Sequence, residues 1–218
     1  MKTNQDYKNA ALAALRGKWA PAVIASIIYV VIAIVCSGEN SIGKVLHFEP
    51  GLTFTLAGAG AILYIFAYLP LAAGYDNAMR KNMDTGDCAF TANMFNIAID
   101  GYLHKVWTLF LMELKTFLWT LLLIVPGIIK SFAYAMTPFI LVDHPEYSAS
   151  EAIKESERLM QGHKFDLFWL YLSFIGWIIL SIVTCGIGFF WLMPYLTSAQ
   201  ADFYNDLKGA GPEVIIVE

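Results

Sequence analysis

Two apolar runs separated by Pro126-Gly127 leave residues 106–142 little choice but a lipid bilayer. The first, Val106 to Val125, is 20 residues long. At about 1.5 Å per residue it reaches roughly 30 Å, the thickness of a hydrocarbon core. It carries Trp107, Phe110, Phe117 and Trp119 and ends in Leu121-Leu122-Leu123-Ile124-Val125. Such a helix is apolar on every side, as the core helix of a soluble domain seldom is. Pro126 has no N–H to donate and Gly127 tolerates φ > 0, so the pair predicts a tight reversal. The second run, Gly127 to Val142, has 16 residues, and Asp143-His144-Pro145-Glu146 marks the exit into water. The unit reads as a helical hairpin in a membrane.

The rest of the chain repeats this form. Hydrophobic residues make up 58% and charged residues 15% of the sequence, against about 25% charged in an average soluble domain. With 218 residues there is room for about six spans and no large soluble catalytic domain. Trp19 to Cys36 reads as a retained first helix rather than a cleaved signal, since no Ala-x-Ala pattern stands where cleavage would fall. Residues 37–51 form a loop and Leu52 to Tyr75 a second span, with small residues at Ala57, Gly58, Ala59, Gly60 and Ala61 for close helix approach. Thr91 to Leu103 and Ser148 to Gln161 have amphipathic spacing and read as two helices on the membrane surface, the second opened by Ser148 and Glu151 at capping-box spacing and stopped near Gly162. Leu167 to Cys185 and Phe189 to Tyr204 give the last pair of spans.

The expected fold is therefore all-α: a polytopic helical bundle of six spans in three hairpins, at about 19–75, 106–142 and 167–204, plus two surface helices. Residues 1–207 form a single transmembrane domain and 208–218 a flexible tail. Placing the N-terminus inside puts eleven of the 14 Lys and Arg residues on the inner side, Lys44 and Lys130 outside, and Lys115 within the bilayer. This asymmetry predicts cytoplasmic termini. The hairpins share marks: a basic residue and a Trp at the start of each, and a Pro followed by an Asp in each return arm (Pro70 with Asp76, Pro138 with Asp143, Pro194 with Asp202). Pro and Trp are common in membrane helices, so the marks fit shared form as well as shared ancestry.

Several stretches together resemble a known family: Pro126-Gly127-Ile128-Ile129, Tyr134-Ala135-Met136-Thr137-Pro138, Ser148 to Gly162, Leu172 to Trp177, Gly186-Ile187-Gly188, Pro194-Tyr195 and Phe203-Tyr204. They look like an uncharacterised bacterial integral membrane family, domain of unknown function 975, over residues 105–207. They are also similar to the membrane part attached to some glycerophosphodiester phosphodiesterases, whose soluble catalytic domain has no counterpart here. The resemblance implies a multi-pass protein of the bacterial inner membrane and brings no catalytic residues.

Glu113 and Lys115 are the candidate polar site, roughly 10 and 13 Å from Val106 along the first arm. Ionisable groups at such depth are expensive and point to function, although a snorkelling Lys115 or structural pairing accounts for them equally. They lie about 200° apart around a helix, so each needs its own partner. Pro70, Pro138 and Pro194 free backbone carbonyls that must meet protein or water, which makes them candidate linings of a cavity. Asp143, His144 and Glu146, with His104 and His163, lack ligand spacing, so no metal is expected. No cofactor, nucleic-acid partner or enzymatic activity is expected either. Cys36 and Cys185, at the outer ends of two helices, are within a disulfide's conceivable reach, but free thiols are the expectation. Two functions follow: first, because only two charges lie within the spans where carriers often have more, a non-enzymatic accessory, scaffold or lipid-interacting protein whose surface helices meet lipid or a protein partner; as the alternative, a small transporter or exporter with its polar site at Glu113 and Lys115.

Overall fold

The computed structural model describes residues 2–37, 60–96 and 101–209. The expected loop at 38–51, the start of the second span with Ala57, Gly58 and Ala59, the positions Ala98 and Asp100, and residues 210–218 lie outside the described residues. All regular structure among the described residues is helical. The helices are α1 (Asn4–Leu15), α2 (Trp19–Ser37), a π-helical segment (Tyr64–Tyr68) leading into α3 (Leu69–Thr85), α4 (Phe90–Asn96), α5 (Tyr102–Leu122), α6 (Ile124–Tyr134), α7 (Thr137–Asp143), α8 (Ala149–Leu159), α9 (Lys164–Leu172), α10 (Ile175–Val183) and α11 (Phe189–Gly209).

Three stretches are long and apolar enough to cross a membrane: Trp19–Cys36, Ile124–Asp143 and Lys164–Val183. The remaining expected spans do not meet that measure over the described residues. α5 is 21 residues long but carries His104, Lys105, Glu113 and Lys115, and α11 carries Gln200, Asp202, Asn205, Asp206 and Lys208. These polar groups lower the mean hydropathy, and many of them turn toward other helices rather than outward. Around the bundle the opposite holds: Val35, Leu121, Ile124 and Val183 are 62–73% exposed, an apolar surface that only lipid or protein can cover.

The core fills the end of the bundle where α1, α3, α7 and α11 meet. Tyr7, Met79, Phe139, Phe203 and Tyr204 are buried there, with Tyr7 edge-on to Phe203 and Phe139 stacked on Tyr204. We call this end the base and the opposite end, with Leu123 and Cys185-Gly186, the turn end. α1 is held at its start by a capping box between Thr3 and Asp6. The Ser148–Glu151 capping box is present at α8, and Gly162 beyond it takes φ 80°.

Local geometry corrects four expectations. The central reversal falls at Leu123, which is extended at φ −158° and ψ 136°, while Pro126 and Gly127 lie inside the first turns of α6. The first helix of the polar linker does not run on to Leu103: α4 buries Phe90, Asn93 and Met94, while Gly101 at φ 62° precedes α5, to which Tyr102 and Leu103 belong. α8 keeps its charged side exposed, but its mild face meets the bundle rather than lipid headgroups. Its Ile153 packs with Ala133 and Tyr134, and Ser156 donates to the Ala133 carbonyl at 2.8 Å while accepting from the Met136 N–H at 3.2 Å. Lys130, expected in the water outside, instead pairs with Glu157 of α8 part-way along α6.

Gly127 has a packing reason rather than a turn reason. A Cβ there would lie 2.6 Å from the Thr120 Cα, and one at Gly188 would lie 2.7 Å from the Ser181 Cα. The two hairpins thus share a contact at the same spacing, seven residues apart. Gly127→Ala is expected to destabilise the protein by about 1–3 kcal/mol through overpacking. Adding Thr120→Ala should not rescue it, because the obstacle is backbone. Thermal unfolding in detergent checks both variants; a rescued double variant would contradict the packing.

Candidate functional site

At the base an ion network ties four elements. Asp143 of α7 pairs with Arg80 of α3 and with Lys208 of α11, at 2.6 Å from its Nζ. The Tyr204 hydroxyl donates to the same carboxylate at 2.9 Å. α1 is strapped beside it: Lys2 pairs with Asp202 at 2.8 Å, and the Tyr7 hydroxyl donates to Asp206 at 2.6 Å. Burial acts to raise the Asp206 carboxyl, but the Tyr7 hydroxyl and the Lys2 N–H outweigh it and hold it below the usual carboxylate range. Lys18, just before α2, reaches Asn82 Oδ1 at 2.9 Å and the Gly86 carbonyl at 2.7 Å, which fixes the end of α3 at the base.

The sequence-predicted residues are distributed over separate places. Glu113 and Pro138 line one cavity of about 200 Å³ together with Thr116, Ser131 and Tyr134. Lys115 is half-buried and makes no hydrogen bond or ion pair among the described residues. Pro70 lines a second cavity of about 210 Å³, with Phe66, Met94 and Tyr102. Pro194 is buried inside α11 and lines neither. Freed carbonyls near the kinks meet side chains. The Tyr102 hydroxyl donates to the carbonyl of Phe66, four residues before Pro70. Near Pro138, Ala135 O accepts from Gln200 Nε2 at 3.3 Å. Among the described residues no group of three His, Cys, Asp or Glu is placed to hold a metal ion. His144 meets Glu146, His163 meets Asp166, and His104 Nε2 meets the Tyr147 carbonyl. Cys36 is buried and not bridged to Cys185, and Cys88 and Cys185 are exposed.

One group escaped the sequence reading. Asp76 marks the end of the second span by sequence, yet α3 runs through it to Thr85. Its neighbour Tyr75 is buried and meets Ser26, the eighth residue of α2, at 2.7 Å between hydroxyls. Asp76 therefore lies six residues, roughly 9 Å, beyond the Asn82–Lys18 contact and into the α2–α3 packing. Its carboxylate makes no hydrogen bond or ion pair among the described residues. Tyr29, Tyr75 and Tyr171 lie within electrostatic reach.

Those tyrosines begin a column. Tyr75 stacks on Tyr29 with centroids 5.1 Å apart, Tyr29 on Tyr68 at 5.6 Å, and Tyr68 on Tyr64 at 5.0 Å. The Tyr29 and Tyr68 hydroxyls are 2.7 Å apart. Tyr64 lies within electrostatic reach of Glu113. An aromatic, hydroxyl-bearing column thus joins the surroundings of two acids on different helices. Tyrosines recurring at 64, 68 and 75 with Tyr29 opposite were the available signal. Nothing in the sequence alone pairs α2 with α3.

Residues 108–211, a little under half of the chain, match the family model described as Protein of unknown function (DUF975). The matching stretch takes in Glu113, Lys115, Pro138, Asp143 and Pro194 and leaves out Asp76 and the tyrosine column. No curated protein and no solved structure matches the chain.

Asp143 carries the base network. Asp143→Asn is expected to cost about 3–5 kcal/mol, because it strands a buried Arg80 guanidinium. Lys208→Ala should cost under about 1 kcal/mol, since its side chain is 45% exposed. Chemical unfolding of the two variants side by side measures the difference; equal costs would show that the network is dispensable.

Proposed function

We propose that this is a multi-pass protein of the bacterial inner membrane, with six crossings in three hairpins and both termini in the cytoplasm, acting as a small non-enzymatic transporter. The observation that carries the reading is the tyrosine column running from Asp76 toward the Glu113 cavity. Scarcity of intramembrane charge was the ground for preferring an accessory or scaffold role. Asp76 adds a second acid, beside Glu113, to the helix packing, with the tyrosine column next to it, and removes that ground. Carriers characteristically place polar and kinked segments around a site near the bilayer midplane.

The remaining parts fit this reading. Glu113, Thr116, Ser131 and Tyr134 give the 200 Å³ cavity an acid and three hydroxyls, chemistry suited to a small polar or cationic solute. The break between α6 and α7 beside Pro138 supplies a bend in the cavity wall. Membrane lipids cover the exposed apolar faces, and the likeness to the membrane part of glycerophosphodiester phosphodiesterases agrees with a bilayer setting without bringing their chemistry. Lys115, half-buried on the same helix as Glu113, is placed to snorkel toward headgroups.

Mass spectrometry of the protein released from lipid nanodiscs tests the reading. The expected result is a small solute retained by the wild type and lost from Glu113→Gln while the variant keeps its unfolding temperature. Retention of a stoichiometric protein partner, with no solute and no change in Glu113→Gln, would replace the transporter by the accessory role.

A further inference from the structure

We propose that Trp119, Tyr134 and Glu157 form a binding box for the primary ammonium group of an organic solute, filled at rest by the protein's own Lys130. As the solute class of the transporter, this rests on that reading. The contacts at the box stand without it.

Three helices build the box. α5, α6 and α8 pack pairwise. Gly127 brings α6 against the Thr120 backbone of α5, so the two helices meet closely beside Trp119. Lys130 lies one turn beyond Gly127 and Tyr134 one turn beyond Lys130, on one side of α6. α8 is fixed by Ser156, which donates to the Ala133 carbonyl at 2.8 Å and accepts from the Met136 N–H at 3.2 Å. Glu157 follows Ser156 directly and reaches Lys130. Lys130 Nζ then stands 5.4 Å from the centre of the Trp119 ring and 5.7 Å from that of Tyr134, with the Glu157 carboxylate as its ion partner. Both rings are within the reach of about 6 Å over which a cation is drawn to an aromatic face.

Three contacts thus converge on one nitrogen, and their chemistry selects an ammonium. The carboxylate accepts an N–H and balances the charge. The rings attract a cation that has shed part of its water. A metal ion is poorly served, because one carboxylate and two carbon faces do not make the six or so oxygen ligands that a hard cation takes. An anion would be repelled by Glu157.

Lys130 is a replaceable occupant. One of its N–H groups donates to Glu157 Oε1, and a flexible four-carbon stem lets the ammonium withdraw. The side chains of Lys130 and Glu157 are 30% and 33% exposed, so their pairing adds little to stability. Yet Lys130 lies inside Ile124–Asp143, one of the stretches apolar enough to cross a membrane. Charge kept there for so little stability points to a use.

The box adjoins the Glu113 cavity through Tyr134. That ring faces Lys130, and the same residue lines the cavity of about 200 Å³ with Glu113, Thr116 and Ser131. Measured from Leu123 at the turn end, Lys130 lies seven residues along α6 and Glu113 ten residues back along α5, roughly 10 and 15 Å. Two carboxylates therefore flank one aromatic residue at successive depths. An ammonium group entering from the turn end would meet Glu157 first and Glu113 next.

Trp119 is the reporter for the box. The full chain in lipid nanodiscs is titrated with methylammonium chloride against equal sodium chloride, and tryptophan emission is followed. The expected result in the wild type is a saturable change that sodium does not produce and that Trp119→Phe loses, although the other tryptophans remain. Lys130→Ala removes the competing ammonium and should lower the midpoint about tenfold. Adding Glu157→Gln to that variant should raise the midpoint again. The absence of a Trp119-dependent change in the wild type overturns the proposal, as does an equal response to sodium. A midpoint that is unchanged or higher in Lys130→Ala also overturns it. If Lys130→Ala does not fold, Lys130→Arg decides: a planar guanidinium pairs with Glu157 and stacks on the rings more firmly, so the midpoint should rise, and an unshifted midpoint overturns the proposal. A solute retained through Glu113 without the Trp119 signal leaves the transporter standing and removes the box. The Trp119 signal without any retained solute does the reverse.

Discussion

Asp143 accepts from Arg80, Lys208 and Tyr204, and this one carboxylate pins three helices at the base of the bundle. α3 and α11 each run uninterrupted from the middle of the bundle to the base, and α7 begins at a break. Without a common anchor they would be free to splay, because apolar faces slide against lipid as readily as against each other. With the anchor in place, α3 is fixed in depth at both ends: by Arg80 and Asn82 at the base, and by Tyr75 against Ser26 further in. Asp76 is carried to its position by that depth. The interior acid is a consequence of the ion network below it.

The same economy governs the breaks. A membrane helix that bends exposes carbonyls that nothing in lipid can satisfy. Here the α6–α7 break is closed by Ser156 of α8 and Gln200 of α11, and the approach to Pro70 is closed by the Tyr102 hydroxyl. α8 is drawn into the bundle for this reason. Its exposed side keeps the charged residues Glu151, Lys154 and Arg158, while Ser156 and Ile153 face the hairpin. Glu157 then finds Lys130 along the shaft.

The helices, their order and the hairpin at 106–142 were legible in the sequence because apolar runs and Pro/Gly punctuation report local structure. The capping box at Ser148 and Glu151 and the stop near Gly162 were legible for the same reason. The burial of α8 was not: one mild face of Ala149, Ala152, Ile153 and Ser156 looks the same against lipid headgroups as against Ala133. Pro126-Gly127 suggested a turn by composition, whereas the residue that turns is Leu123, and Gly127 answers to the Thr120 backbone. Three of the six expected crossings carry their own hydropathy signal. α5 and α11 dilute theirs with the polar residues that build the interior. Glu113 and Pro138 meet at one cavity, while Pro70 and Pro194 go elsewhere, since equal spacing along a chain does not fix which way a kink opens. Asp76 was hidden because an acid after an apolar run reads as an exit into water.

Sealed-membrane labelling of native thiols addresses the whole arrangement most directly. Cys88 is exposed in the linker at the base and Cys185 is exposed at the turn end. Single-cysteine versions would be treated with an impermeant maleimide on spheroplasts and on inside-out vesicles. If the hairpins cross the bilayer, Cys185 labels only on spheroplasts and Cys88 only on inside-out vesicles. Labelling of both thiols from one face would mean that the hairpins enter and leave on the same side, and the interior placement of Asp76 would fall with the crossings.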